Sequence, residues 1–161
     1  MDFLLQWEEQ FRVIGAVAIA MLLGGIIGYE REMANKPAGF RTHMLLAGAA
    51  ALITSLADLL AEGFAEAHYS ELLRIDPLRV VEAVVTGVAF LGAGTIFRSA
   101  GGNVVAGLTT ATSLLLVSGV GIAVTMGQYV IAVGVTALTY VVLKLIYGME
   151  SWFAKRKGAE D

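Results

Sequence analysis

A chain of 161 residues that is 57% hydrophobic, with 19 glycines and only 2 prolines, fits packed membrane helices better than a water-soluble domain or a disordered linker. Its net charge of −3, with no long basic block, excludes the electrostatic footprint of a nucleic-acid binder. The absence of cysteine excludes disulfides, thiolate metal sites and a cysteine nucleophile.

The leading residues, MDFLLQWEEQF, place Asp2, Glu8 and Glu9 ahead of the first basic residue, Arg12. A secretory signal needs a positive start, so this segment does not read as one. Phe3, Leu4, Leu5, Trp7 and Phe11 either lay one face on the headgroup layer or anchor a frayed polar tail, and both readings stay open. Crossing a bilayer takes about 20 mostly apolar residues, with a range of about 17–25. Residues 13–29 meet that requirement and end in the Gly24, Gly25, Gly28 cluster. Residues 43–60 follow, rich in small side chains and carrying Asp58. The third span opens with Asp76 as a helix N-cap and Pro77 at the first helical position, then runs apolar from 80 to 97 apart from Glu82. It contains Gly87, Gly92 and Gly94, and glycine weakens a helix in water. In a bilayer such a helix needs close backbone packing, or a break that lines a cavity. From Val104 the apolar run lasts almost to Tyr147, too long for one span. Gly119, Gly121 and the Met126-Gly127-Gln128 turn divide it into 105–125 and 129–147. The expected architecture is an all-α polytopic membrane bundle of about five helices over residues 1–150, with a short tail at 151–161.

Lys and Arg prefer the cytoplasmic side of a membrane. With five spans, the first and third connections and the C-terminus share one side and hold Arg31, Lys36, Arg41, Arg98, Lys155, Arg156 and Lys157. The other side holds Arg12, Arg74 and Arg79, together with the acidic Glu62, Glu66, Glu71 and Asp76. Lys144 lies near the cytoplasmic end of the last span, where it can snorkel. The N-terminus is therefore expected outside and the C-terminus in the cytoplasm. This topology brings the stretches around Gly28–Glu32, Lys36–Thr42, Phe90–Thr95 and Gly107–Thr110 to one depth, toward the cytoplasmic face.

In order and spacing, GxxxGYERE, KPAGFRTH, DPLR, VVTGVAFLGAGTIF and GLTTAT resemble the N-terminal membrane domain of the MgtC/SapB family, over about residues 24–121. The resemblance implies a bacterial inner-membrane protein of about five helices with a cytoplasmic C-terminus. It also implies a role in growth or survival under magnesium limitation, exerted in some members through the F-type ATP synthase. Larger members carry a soluble C-terminal domain. This chain stops at Asp161 after its short tail, so that domain and its functions are expected to be absent. Two positions depart from the family pattern: Glu82-Ala83 stands where an amide residue is usual, and Ala89 replaces a glycine before Phe90.

Two candidate sites emerge. The first is a cytoplasmic cluster of Glu30, Arg31, Arg41, Thr42, His43, Gly92, Gly94, Thr95, Arg98, Thr109 and Thr110. If the Gly92-Ala93-Gly94 segment unwinds, it frees backbone groups over a polar pocket that Arg41 and Arg98 bias toward anions or a partner's carboxylate. The plainer reading is a packed junction in which Glu30 and Glu32 neutralise Arg31 and Arg41. The second site is at the outer face, where Asp58, Asp76 and Glu82 offer oxygen ligands suited to hydrated magnesium. Its plainer reading has Asp76 capping a helix, Arg79 neutralising Glu82 at i,i+3, and Asp58 reaching to water. Gly24 with Gly28, Ala83 with Gly87, and Gly121 with Thr125 are spaced for close helix approach, within the chain rather than between copies, although a homo-oligomer stays open. His43 and His68 fall on opposite sides, so no histidine metal site is expected. No serine–base pair, phosphate loop or HExxH motif is present, and neither an enzyme activity nor a cofactor beyond a magnesium ligand is expected. The expected partners are the lipid bilayer and another membrane protein. The alternative function is a small transporter or channel for magnesium or another ion.

Overall fold

The computed structural model describes residues 2–66, 76–98 and 105–157. His68, Glu71, Arg74 and the Gly101-Gly102 pair lie outside them, as do residues 158–161 of the tail and the side chains of Phe97, Arg98 and residues 146–157. Five helices follow in chain order: α1 (Asp2–Met33), α2 (Phe40–Glu66), α3 (Pro77–Thr95), α4 (Leu108–Thr125) and α5 (Tyr129–Lys157). A two-residue antiparallel pair, β1 (Phe97–Arg98) and β2 (Val105–Ala106), joins α3 to α4 with Phe97 opposite Ala106. Among the described residues, α1 to α4 each carry an apolar stretch long enough to cross a membrane, and α5 carries a shorter one at Tyr129–Leu145. The protein is an all-α membrane bundle.

The leading segment is the start of α1 itself. At 32 residues, α1 is about 48 Å long, well beyond the ~30 Å hydrocarbon layer. α5 likewise continues helical into the expected tail as far as Lys157. The connection from α1 to α2 is a tight turn in which Asn35 takes the left-handed conformation (φ 53°). The Asn35 and Lys36 amides donate back to the Glu32 and Arg31 carbonyls, both at 3.0 Å. Gly127 (φ 70°) turns α4 into α5, where the Gly127 and Gln128 amides donate to the Val124 and Ala123 carbonyls. That is the division expected at Met126-Gly127-Gln128.

α4 packs against all four other helices, and its buried face includes Leu114, Val117, Val120 and Val124. α1 and α2 form the most extensive pair, across a seam of small residues. A Cβ on Gly24 would stand 2.7 Å from the His43 carbonyl oxygen and 2.8 Å from Ala47 Cβ; one on Gly28 would stand 2.8 Å from His43 Cβ. Gly121 of α4 meets the other flank of α2, against Ala47 O and Ala50 Cβ. Gly24, Gly28 and Gly121 are thus spent on contacts inside the chain. Gly87 meets nothing within 4 Å, so its spacing from Ala83 has no counterpart in this packing. α3 rests chiefly on α4 and only lightly on α2, which leaves a gap between α2 and α3.

Candidate functional site

The α1–α2 turn, the β1–β2 pair and the starts of α2 and α4 lie together at one end of the bundle, here the motif end. The α4–α5 turn and the end of α2 form the far end. The membrane supplies no water to stray polar groups, so each polar side chain near the motif end must find a protein partner or reach the surface.

Glu30 and Arg31 do the former. Their side chains are 8% and 3% exposed, and the guanidinium contacts Glu30 Oε2 at 2.6 Å through both Nε and Nη2. This is the single ion pair among the described residues. His43, fully buried on α2, bonds at 3.0 Å through Nδ1 to the Gly39 carbonyl and at 3.0 Å through Nε2 to Ser113 Oγ on α4. Ser113 in turn donates to the Thr110 carbonyl at 2.8 Å. Glu32 leaves Arg41 alone and accepts the Phe40 amide at 2.8 Å, capping α2 from across the turn. These contacts lock α1, α2 and α4 together at the motif end. No described buried side-chain nitrogen or oxygen lacks a hydrogen-bond partner.

The Gly92-Ala93-Gly94 segment stays helical. α3 ends only after Thr95, where Ile96 turns extended and its amide donates to the Ala93 carbonyl at 3.1 Å. A helix satisfies its own backbone in an apolar setting, so unwinding there would orphan groups for which no substitute is offered. The left-handed Gly107 (φ 91°) starts α4 directly against the end of α3, where a Cβ would collide with the Thr95 carbonyl.

Between α2 and α3 lies a cleft of about 780 Å³. Pro37, Ala38, Arg41 and Thr42 form its mouth on the α2 side, and Gly94 and Thr95 face them from α3. Deeper in, its walls are apolar: Leu45, Leu46 and Ala49 from α2, Phe90 and Leu91 from α3, and Leu114 from α4. Gly94 has no atom within 4 Å of a would-be Cβ and so leaves the cleft open, whereas Gly92 lies against Ala111. The motif residues therefore divide. Arg41, Thr42, Gly94 and Thr95 meet at the cleft; Glu30, Arg31 and Thr110 belong to the buried junction. Thr109 is exposed, Gly92 is at the α3–α4 contact, and Arg98 lies on β1 with its side chain outside the described residues.

The far end is organised otherwise. Asp58 lines a polar cleft of about 510 Å³ with Arg12, Ser55, Glu62, Thr125 and Tyr129. Asp76 and Glu82 do not line it. Asp76 Oδ1 accepts the Leu78 amide at 3.0 Å as the N-cap of α3, and Glu82 is exposed without an ion pair to Arg79. Among the described residues, no three His, Asp or Glu side chains form a group able to hold a metal ion.

Ser113 is the site residue that sequence reasoning missed. Its signal was weak: three residues after Thr110, it shares that residue's face on a helix, but a serine there reads equally as a small packing residue.

The sequence model of the MgtC family matches residues 17–152. Protein SapB of Bacillus subtilis is 35% identical over 128 residues, 78% of this chain and 53% of that protein. "Putative magnesium transporter YhiD" of Escherichia coli K12 is 35% identical over 129 residues, 80% of this chain and 58% of its own length. Protein MgtC of Brucella abortus is 35% identical over 116 residues, covering 72% and 43%. The chain thus spans about half the length of these curated relatives. No solved structure matches it significantly.

Proposed function

The chain belongs to the MgtC family, and on that premise we propose that it supports magnesium homeostasis or growth at low magnesium from the bacterial inner membrane, by binding another membrane protein. The name of the Escherichia coli relative supports the link to magnesium. The distribution of Lys and Arg supports an N-terminus outside and the motif end in the cytoplasm. There the α1–α2 turn, with exposed Lys36, is the surface offered to a partner. The F-type ATP synthase is the first candidate for that partner, from the family resemblance. We assign the chain no catalytic step.

The observation that favours binding over transport is the closed interior. Ala20, Ala47, Ala50, Val117 and Val120 fill the centre at 0–2% exposure, and the buried charges at the motif end, Glu30 and Arg31, neutralise each other. An ion crossing this bundle would have to open that packing. The far-end cleft with Asp58 and Glu62 favours the second reading, a small transporter for magnesium or another ion.

Two measurements separate them. In a strain lacking its own family member, the chain should restore growth at low magnesium and co-purify with a membrane protein. Lys36→Glu should weaken that co-purification at unchanged expression. In proteoliposomes containing this protein alone, magnesium flux should equal that of empty vesicles. A flux that Asp58→Asn abolishes would establish transport instead.

A further inference from the structure

The cleft between α2 and α3 is sorted by polarity along the two helices. Arg41 and Thr42 sit in the first turn of α2, at the mouth. Leu45, Leu46 and Ala49 come four, five and eight residues later, so about 6–12 Å deeper. On α3, which runs the opposite way, Thr95 is at the mouth and Leu91 and Phe90 are a turn or more below it. One end is thus cationic and hydroxylic, and the rest is hydrocarbon.

Among the described residues, the charge at the mouth is uncompensated. Arg41 has no ion pair among the described residues, and no carboxylate lines the described walls. The nearby acids are engaged elsewhere, Glu30 by Arg31 and Glu32 by the Phe40 amide. The Thr95 hydroxyl donates to the Gly92 carbonyl at 2.7 Å, which leaves Arg41 and Thr42 as the donors among the described side chains that line the mouth. An occupant must therefore be anionic at one end, rich in hydrogen-bond acceptors there, and apolar along its length. Phe90 (79% exposed) and Leu45 (62%) already turn toward the surrounding lipid, so the cleft opens sideways into the bilayer.

We propose that this cleft is a binding site for one anionic phospholipid. The phosphate is held by the Arg41 guanidinium and the Thr42 hydroxyl, and an acyl chain lies between Leu45, Leu46 and Leu114 on one side and Phe90 and Leu91 on the other. The bidentate guanidinium suits a phosphate diester. A net negative headgroup is selected over a zwitterionic one because, among the described residues, no carboxylate at the mouth compensates an added ammonium. The lipid completes the bundle where α3 stands off α2, and Gly94, with no side chain, keeps the mouth open.

The test uses the full chain with Trp7 and Trp152 replaced by phenylalanine and Phe90→Trp as reporter, reconstituted in phosphatidylcholine vesicles. Phosphatidylglycerol brominated on its acyl chains should quench the reporter with about fivefold preference over brominated phosphatidylcholine, the ratio that corresponds to ~1 kcal/mol for one basic side chain near an anionic surface. Arg41→Gln should abolish the preference and Arg41→Lys should keep most of it. Soluble glycerol phosphate should compete weakly or not at all. Equal quenching by the two lipids would overturn the proposal, as would a preference that survives Arg41→Gln. Displacement of the brominated lipid by glycerol phosphate would show a free-phosphate site instead, and a polypeptide bound in the cleft of the purified protein would make it a partner's groove. Arg41 is exposed, so neither variant disturbs the core, and helical circular dichroism checks that both fold.

Discussion

At the residue scale, two kinds of position hold the motif end together. Glycines serve where a backbone lies against them. Gly24→Ala would press a Cβ on the His43 carbonyl and Ala47, and should cost about 1–3 kcal/mol, as overpacking does. Gly87→Ala meets open space and should be neutral, or stabilising by up to ~1 kcal/mol through helix propensity. Thermal unfolding in mild detergent compares the two, and equal losses would contradict the packing described. Buried charges are the other kind. Arg31→Met leaves Glu30 buried with no counter-charge and should destabilise by about 3–5 kcal/mol. The double change Glu30→Gln with Arg31→Met should recover much of that loss, because the pair rather than either member is tolerated inside. If the double variant is as unstable as the sum of the singles, the two side chains act independently and the pair is not the unit.

At the element scale, helix ends carried the surprises. α3 begins as the sequence expects, with Asp76 capping and Pro77 at the first turn. Asp76→Ala should therefore cost about 1 kcal/mol and speed amide exchange in the first turn of α3, with magnesium changing neither the wild type nor the variant. A magnesium-dependent difference would instead restore a ligand role for Asp76. At the other end of α3, Gly92 and Gly94 leave close packing and a break both open in the sequence; the helix continues to Thr95 with Gly92 against Ala111, since low propensity in water gives way where the membrane penalises every unpaired amide. Asp58 is likewise legible as an ionisable group at a span's end, but nothing in the order of residues says it faces Arg12 and Glu62 rather than α3.

Across the whole molecule, the short turns at Asn35 and Gly127 make α1 antiparallel to α2 and α4 to α5, and α4 occupies the centre. Lys144 lies 5.6 Å from the Tyr140 ring centroid on α5, a contact that shelters its charge while the ammonium reaches the surface. If the basic residues set the orientation, a fluorescent protein fused after Asp161 should fluoresce in the cytoplasm. Alkaline phosphatase fused at the same place should be inactive. The opposite pattern would place the C-terminus and the motif end outside the cytoplasm.

Composition and hydropathic length alone determined that this is an all-α membrane bundle, because a ~30 Å apolar layer admits few solutions for 161 residues of this kind. The order of the glycine and GLTTA motifs determined the family. Tertiary structure decided which members of one motif cluster meet. Glu30 and Arg31 turned inward to each other, His43 found Ser113 seventy residues away, and Arg41 was left facing a cleft. The reason is that hydropathy reports the depth of a residue in the membrane, whereas the direction a side chain faces around its helix depends on which neighbours pack there.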